Sequence, residues 1–378
     1  MKPSPSTSPL PEAAPLAAAR RQRPGRAAPG SPTLGAPATP IEIGLNAAIV
    51  AVEGRTPLIL VTKGTSAMAA RAEPAGLPFG PFDPLAHRTF EVGLRAFVAD
   101  QTALSLGYVE QLYTFGDRGR HARPGDVGPH VVSVGYLALT RFASGAAADA
   151  QAKALKDAGA EWRSWYDFFP WEDWRAGRPA ILDAVILPAL KRFARSGGPA
   201  RGVSREQRLA LAFGGEEHFD EERALDRYEL IYEAGLVPEA GRDGRPKPEG
   251  GPPPVPLGAS LRFDHRRILA TAISRLRGKM KYRPVVFELL PDEFTLTELQ
   301  QTVEAIAGRH LHKQNFRRQV EAAELVEPTG RMSEKARGAG TSVGGLRAAA
   351  TLGRPAALFR FRREVVRERP APGLKPGR

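Results

Sequence analysis

The apolar residues change their period partway along the chain, and that change limits the folds open to it. Between Ile41 and Leu139 they recur at every second position in short runs. Ile41, Ile43 and Leu45 alternate with Glu42 and Gly44, and the run continues through Ile49-Val50. Glu53-Gly54-Arg55 then turns the chain and Leu58 to Val61 returns it, a β-hairpin pattern. Tyr108 to Phe115 and His130 to Leu139 read as two further strands around a Gly-, Asp- and Arg-rich loop, 116–128. Between the two strand pairs lies a Pro/Gly-rich loop, 74–84, and then a predicted helix over 85–103, where Phe90, Leu94, Phe97 and Val98 share a face. From Phe263 onward the period is helical. Such an order predicts an α+β fold with a mixed sheet.

The 378 residues are enough for two or three domains. Residues 1–40 are a Pro/Ala-rich tail with Arg20, Arg21, Arg23 and Arg26 and one acid, Glu12. Their composition cannot offset the entropy of ordering, so a disordered tail is expected. Pro3, Pro5, Pro9, Pro11 and Pro15 interrupt what would be the apolar stretch of a secretory signal. The most apolar stretch, 180–190, is far short of the ~20 residues a membrane span requires. The expectation is a cytoplasmic protein with no membrane partner. There is no cysteine, which excludes disulfides, thiolate metal sites and a Cys nucleophile. The net charge of +13 favours a polyanionic partner.

The middle of the chain, about 143–262, reads as an insert in the first domain, 41–262. All four tryptophans fall in its Trp162–Trp174 segment, which is expected to pack as a small core rather than as a ligand cage. Helices are predicted over 181–195 and 221–234, and a Pro/Gly linker over 241–258. A helical stripe then runs through His265, Ile268, Leu269, Ala272, Ile273 and Leu276, predicting a linker helix over 263–282.

Residues 283–368 form a second predicted domain, before a disordered tail over 369–378. Thr295 is placed to cap a helix with Leu296, Leu299, Val303 and Ile306 on one face, and Gly308 follows its end. After a short link comes a second helix, 313–324, with Phe316, Val320 and Ala323 inward and Gln314, Arg317 and Arg318 outward. Two short amphipathic helices joined tightly, the second basic and amide-bearing, follow helix-turn-helix logic. A loop over 329–345, carrying Arg331, Lys335 and Arg337, and the alternation Leu358-Phe359-Arg360-Phe361-Arg362 complete a wing. Between Arg309 and Arg363 twelve Lys and Arg stand against four acids, so the charge concentrates where the motif predicts contact with DNA. Lys313, Gln314, Asn315, Arg317 and Arg318, with Arg337 and Arg354, are the expected DNA contacts. His310 and His312 lie in the link without a cysteine or an acid at helical spacing, so no metal site is expected there.

Several stretches resemble the Nudix-related transcriptional regulators of NAD metabolism, the NrtR- and NadQ-like regulators. They are VEQLYTFGD (109–117), VVSVGYLAL (131–139), the run 263–300, NFRRQV (315–320), and Gly353-Arg354-Pro355 followed by Leu358 to Phe361. They run in order over most of 41–363, with the tail and the insert after Leu139 poorly covered. The resemblance implies a Nudix-like α/β/α sandwich with a long insert, a C-terminal winged helix, and a homodimer. It implies a repressor of NAD-synthesis or salvage genes that binds double-stranded operator DNA. It also implies an effector of nucleotide type, of the ADP-ribose, NAD or ATP class.

An active Nudix helix follows G-x5-E-x7-R-E-U-x-E-E-x-G-U, with U apolar, and its carboxylates hold Mg²⁺. With the Arg of that pattern at Arg95, the Glu positions fall on His87, Ala96 and Ala99, only Asp100 survives, and the late Gly falls on Thr102. The expectation is a domain that binds without cleaving, with no catalytic residue, no metal and no cofactor. Lys63, Arg95, Arg118 and Arg120 are candidates to meet effector phosphates and Tyr113 to stack a base. The alternatives are a divergent Nudix hydrolase acting on ADP-ribose or another nucleoside diphosphate derivative, and a protein-interaction module built on the tryptophan-rich insert.

Overall fold

The computed structural model describes residues 40–63, 74–117, 129–143, 145–197, 202–214, 219–248, 250–333 and 355–374. The tail expected to be disordered, 1–40, lies outside them but for Pro40.

The first half is a sheet with helices on both faces, the layering expected of a Nudix-like sandwich. Strand β1 (Ile41–Glu53) runs through its middle and turns at Glu53 into β2 (Thr56–Thr62), as the alternation predicts. A short β3 (Phe79–Pro81) pairs with the first half of β1, within the stretch read as loop 74–84. Helix α1 (Phe90–Thr102) follows; β4 (Tyr108–Phe115) and β5 (His130–Leu139) lie where expected. Strand β5 pairs parallel to β1 and antiparallel to β4, so the sheet is mixed. Helix α1 starts five residues later than predicted: Thr89 accepts from the Val92 amide at 3.2 Å, and Leu85 stands in solvent outside the helix.

The insert is more regular than its sequence suggests. It contributes α2 (Ala146–Asp157) and β6 (Ala160–Ser164), which pairs with β2 and forms one edge of the sheet, in the order β4-β5-β1-β2-β6. Then come a π-turn, 182–186, running into α3 (Leu187–Arg195), α4 (Arg205–Phe213), α5 (Ala224–Glu233) and a short α6 (Pro238–Arg242). Helix α4 was not expected; a Ser204–Gln207 capping box starts it.

The two faces of the sheet bury different sets. Leu45, Ala47 and Ile49 of β1 pack with Leu94 and Val98 of α1 and Leu155 of α2. Ala48, Val50 and Val52 face α7 (His265–Met280) and the aromatic segment, where Trp165, Phe168, Phe169 and Trp171 are fully buried. That segment is core, as expected. The helix read as a linker over 263–282 is itself a core helix. Its Arg266 donates to the Phe168 carbonyl at 3.1 Å and pairs with buried Glu239 at 3.3 Å.

Helices α8 (Leu296–Ala307) and α9 (Lys313–Ala322), the hairpin β7 (Val326–Met332) and β8 (Ala357–Phe361), and a final turn α10 (Val365–Glu368) make the winged helix. The loop expected from 329 starts later because β7 runs to Met332. The tail expected to be disordered from 369 is held as far as Leu374, which is buried and whose amide donates to the Met280 carbonyl at 2.8 Å. Among the described residues no helix is long and apolar enough to cross a membrane.

Candidate nucleic-acid interface and sensor site

The helix-turn-helix is built by local rules that the sequence states openly. Thr295 accepts from the Glu298 amide at 3.1 Å and Glu298 accepts from the Thr295 amide at 2.7 Å, a complete capping box. Leu299, Val303 and Ile306 are buried, and Gly308 ends α8 at φ 75°, the left-handed region. On α9, Phe316 and Val320 anchor the inner face.

The outer face of α9 is what remains. Lys313, Gln314, Asn315, Arg317 and Arg318 are all exposed. None of them makes an ion pair or a hydrogen bond with another described side chain. They share one helix, and at its start a shallow cavity of about 220 Å³ is lined by Arg309, His310, His312, Asn315 and Gln319. Such a face offers cations for phosphates and guanine and amides for adenine. Arg337 and Arg354, the other two expected contacts, lie outside the described residues.

The wing is bound differently. Phe294 and Phe359 exchange backbone hydrogen bonds at 2.8 and 2.9 Å, tying the start of α8 to the hairpin, and Phe287 stacks on Phe361 at 4.4 Å. Among the described residues its cations are paired: Arg331 with Glu293 at 2.8 Å, Arg360 with Glu327 at 2.5 Å, and Arg362 with Glu368 at 2.5 Å. Among the described residues, the cations of α9 rather than those of the hairpin are left without a carboxylate partner. His310 meets an acid from beyond helical spacing, its Nδ1 lying 3.0 Å from Glu304 Oε1 six positions earlier. Glu304 is buried and already accepts from Gln300 and the Leu311 amide, both at 2.9 Å, so the contact braces the link.

The three described candidate effector residues lie on different parts of the sheet domain. Lys63 follows the end of β2 and lies 3.6 Å from Glu161. Arg95 pairs with Glu91 at 2.8 Å and donates to the Leu106 and Gly107 carbonyls, which fastens α1 to the loop before β4. Tyr113 is exposed on the edge strand β4, its ring edge-on to Phe115 at 5.3 Å. Arg118 and Arg120 lie outside the described residues. On α1, Asp100 is exposed and Glu91 is engaged by Arg95. Among the described residues no group of three or more His, Asp or Glu is arranged to hold a metal ion.

Sequence reasoning missed a third set. Tyr166, Glu172, Trp174 and Arg277 lie in the insert and in α7, yet they contact the end of α8. No local pattern marks such contacts; a tyrosine in an aromatic cluster and an arginine in a basic run are all the sequence offers.

Residues 286–341 match the family described as the NrtR DNA-binding winged helix domain. The ADPR responsive transcriptional repressor NtrR of Acinetobacter baylyi is 42% identical over 73 residues, which are 19% of this chain and 29% of that protein. The match thus spans under a third of that relative's length. The chain is also similar to the crystal structure of Shewanella oneidensis NrtR complexed with a 27mer DNA, with a TM-score of 0.48 and 19% identity over 86% of this chain and 95% of that one. A MutT/nudix family protein from Enterococcus faecalis gives a TM-score of 0.44 and 15% identity over 85% and 88% of the two chains. The family match over residues 286–341 and the 42% identity over 73 residues bear out the resemblance to the NrtR-like regulators, and the family match lies in the winged helix.

Proposed function

We propose that this chain is a transcriptional repressor of NAD-metabolism genes that binds double-stranded operator DNA as a homodimer in the cytoplasm. Its Nudix-like domain senses a nucleotide-type effector without cleaving it. The observation that carries the reading is the outer face of α9: five exposed polar and cationic side chains on the second helix of a family-matched winged helix. Lys313, Gln314, Asn315, Arg317 and Arg318 are the residues proposed to meet DNA, joined by Arg337 and Arg354. The matched relative's name, an ADPR responsive repressor, supports ADP-ribose as the first effector to test, with NAD and ATP as the competitors. Lys63, Tyr113, Arg118 and Arg120 remain proposed effector contacts; Arg95 is the weaker candidate because its guanidinium already serves α1 and the following loop.

Helix α1 supports a domain without turnover. A hard divalent cation needs several oxygen ligands. The helix carries Ala96 and Ala99 at the Glu positions, and Glu91 is held by Arg95. Asp100 alone does not make a magnesium site, so these residues do not fit the metal.

The test is a gel shift or anisotropy titration with DNA upstream of this chain's own gene and of NAD-synthesis genes, with and without ADP-ribose, NAD and ATP. Tight, sequence-selective binding altered by one nucleotide is the expected result. Binding that is weak and blind to sequence refutes it. Magnesium-dependent hydrolysis of ADP-ribose, lost on Asp100→Ala, would establish the hydrolase instead.

A further inference from the structure

A helix leaves its last carbonyls without donors of its own. At the end of α8 three of them are met from outside the winged helix. The Tyr166 hydroxyl donates to the Ala305 carbonyl at 2.7 Å, Arg277 Nε to the Ile306 carbonyl at 2.8 Å, and the Trp174 amide to the Gly308 carbonyl at 2.7 Å. Arg277 also brings a positive charge to the negative pole of the helix. Its position is fixed by Glu172, whose Oε2 lies 2.5 Å from Arg277 Nη1 and which also takes Arg227 in two hydrogen bonds at 2.6 and 2.8 Å. Glu172 and Arg277 are completely buried.

Two further contacts surround these. Glu304 reaches Arg55 of the β1–β2 turn at 3.5 Å, and Arg309, just past Gly308, lies 3.8 Å from Glu221. The fit at Gly308 is close: a Cβ there would strike the Glu172 carbonyl and lie 2.8 Å from Arg277 Nη2 and 3.0 Å from Tyr166 Oη. The turn between α8 and α9 is thus seated against the insert with no room for a side chain.

We propose that the tryptophan-rich insert is a clamp that makes the sensor sheet and the helix-turn-helix one body, with Tyr166, Glu172 and Arg277 as positioning residues for α9. The proposal rests on the reading of α9 as the DNA-contacting helix. Its consequence concerns regulation. An effector held by the sensor does not swing α9 on a hinge within its own chain. The signal reaches DNA through the relation between the α9 helices of two copies, whose spacing must match the two half-sites.

The chain contains no cysteine, so two introduced ones can be spin-labelled without background. Lys153→Cys on α2 and Glu321→Cys on α9 are both exposed. Labelled protein diluted in excess unlabelled protein reads the distance within one chain. A single narrow distribution is expected, unchanged by saturating ADP-ribose, NAD or ATP, and broadened in Glu172→Gln and in Tyr166→Phe. Tyr166→Phe removes one oxygen and decides the matter if Glu172→Gln does not fold. A broad parent distribution, a shift on adding any of the three nucleotides, or variants as narrow as the parent would overturn the clamp. The readout needs no DNA, so a chain that bound no operator would refute the proposed function while the clamp was judged on distances alone.

Discussion

Arg317 and Arg318 stand side by side on α9, both exposed and neither paired with a described residue, so each is free to meet phosphate or guanine. Arg318→Ala is expected to cost about 1–3 kcal/mol of operator affinity if it reads a base, and to leave oligomeric state and unfolding midpoint unchanged. Anisotropy with an unaltered affinity would refute that placement. Glu172 is the opposite case, a charge wholly enclosed. Burial by itself would raise its carboxyl, but the guanidiniums of Arg227 and Arg277 outweigh burial and hold it below the ordinary value of 4.5. A lowered value in the folded state makes the cluster's contribution complete above pH 4.5 and lost as pH falls through the lowered value. Glu172→Gln leaves two buried guanidiniums without their counter-charge. It should cost about 3–5 kcal/mol at neutral pH and flatten the acid limb of stability. Urea unfolding of both proteins across the acid range reads both effects; an equal acid dependence in the two would contradict the assignment.

Elements differ in how much of them a local pattern can state. Helix α8 was legible because its cap, its apolar face and its terminal glycine lie within fourteen consecutive residues, Thr295 to Gly308. Thr295→Ala should therefore cost about 1 kcal/mol, seen as a lower unfolding midpoint. Strand β6 was not legible. It is five residues long, AEWRS, with two charges, and half-buried at the edge of the sheet, so it shows no clean alternation. It is a strand because β2 needed a partner. The α9 face could be named from spacing, since the apolar positions Phe316 and Val320 assign the rest to solvent. The seat of the turn could not: Glu172 and Arg277 meet across 105 positions of sequence, and periodicity carries no information at that range. Gly308→Ala probes the seat directly. It forces a left-handed backbone on alanine, costing about 1–2 kcal/mol, and the clash with Glu172 adds to it. A loss no larger than the backbone cost alone would mean that the turn is not seated as described.

For the molecule as a whole, the basic surplus and the winged helix support the proposed reading of a DNA-binding face, carried on a layered sheet domain proposed to sense a nucleotide. The fold class and the order of β1, β2, α1, β4 and β5 were legible from the period of apolar residues, while β3, β6, α4 and the insert's part in holding the winged helix were not. Sequence-selective, effector-controlled binding is open to a single titration. Operator DNA would be titrated by anisotropy at 50 and 200 mM salt, with and without ADP-ribose, against a scrambled duplex. With six to ten phosphates neutralised, affinity should fall by about 10³–10⁵ between the two salts, the scrambled duplex should bind far more weakly, and ADP-ribose should change the operator affinity alone. Equal affinity for operator and scrambled DNA, untouched by the nucleotide, would contradict it.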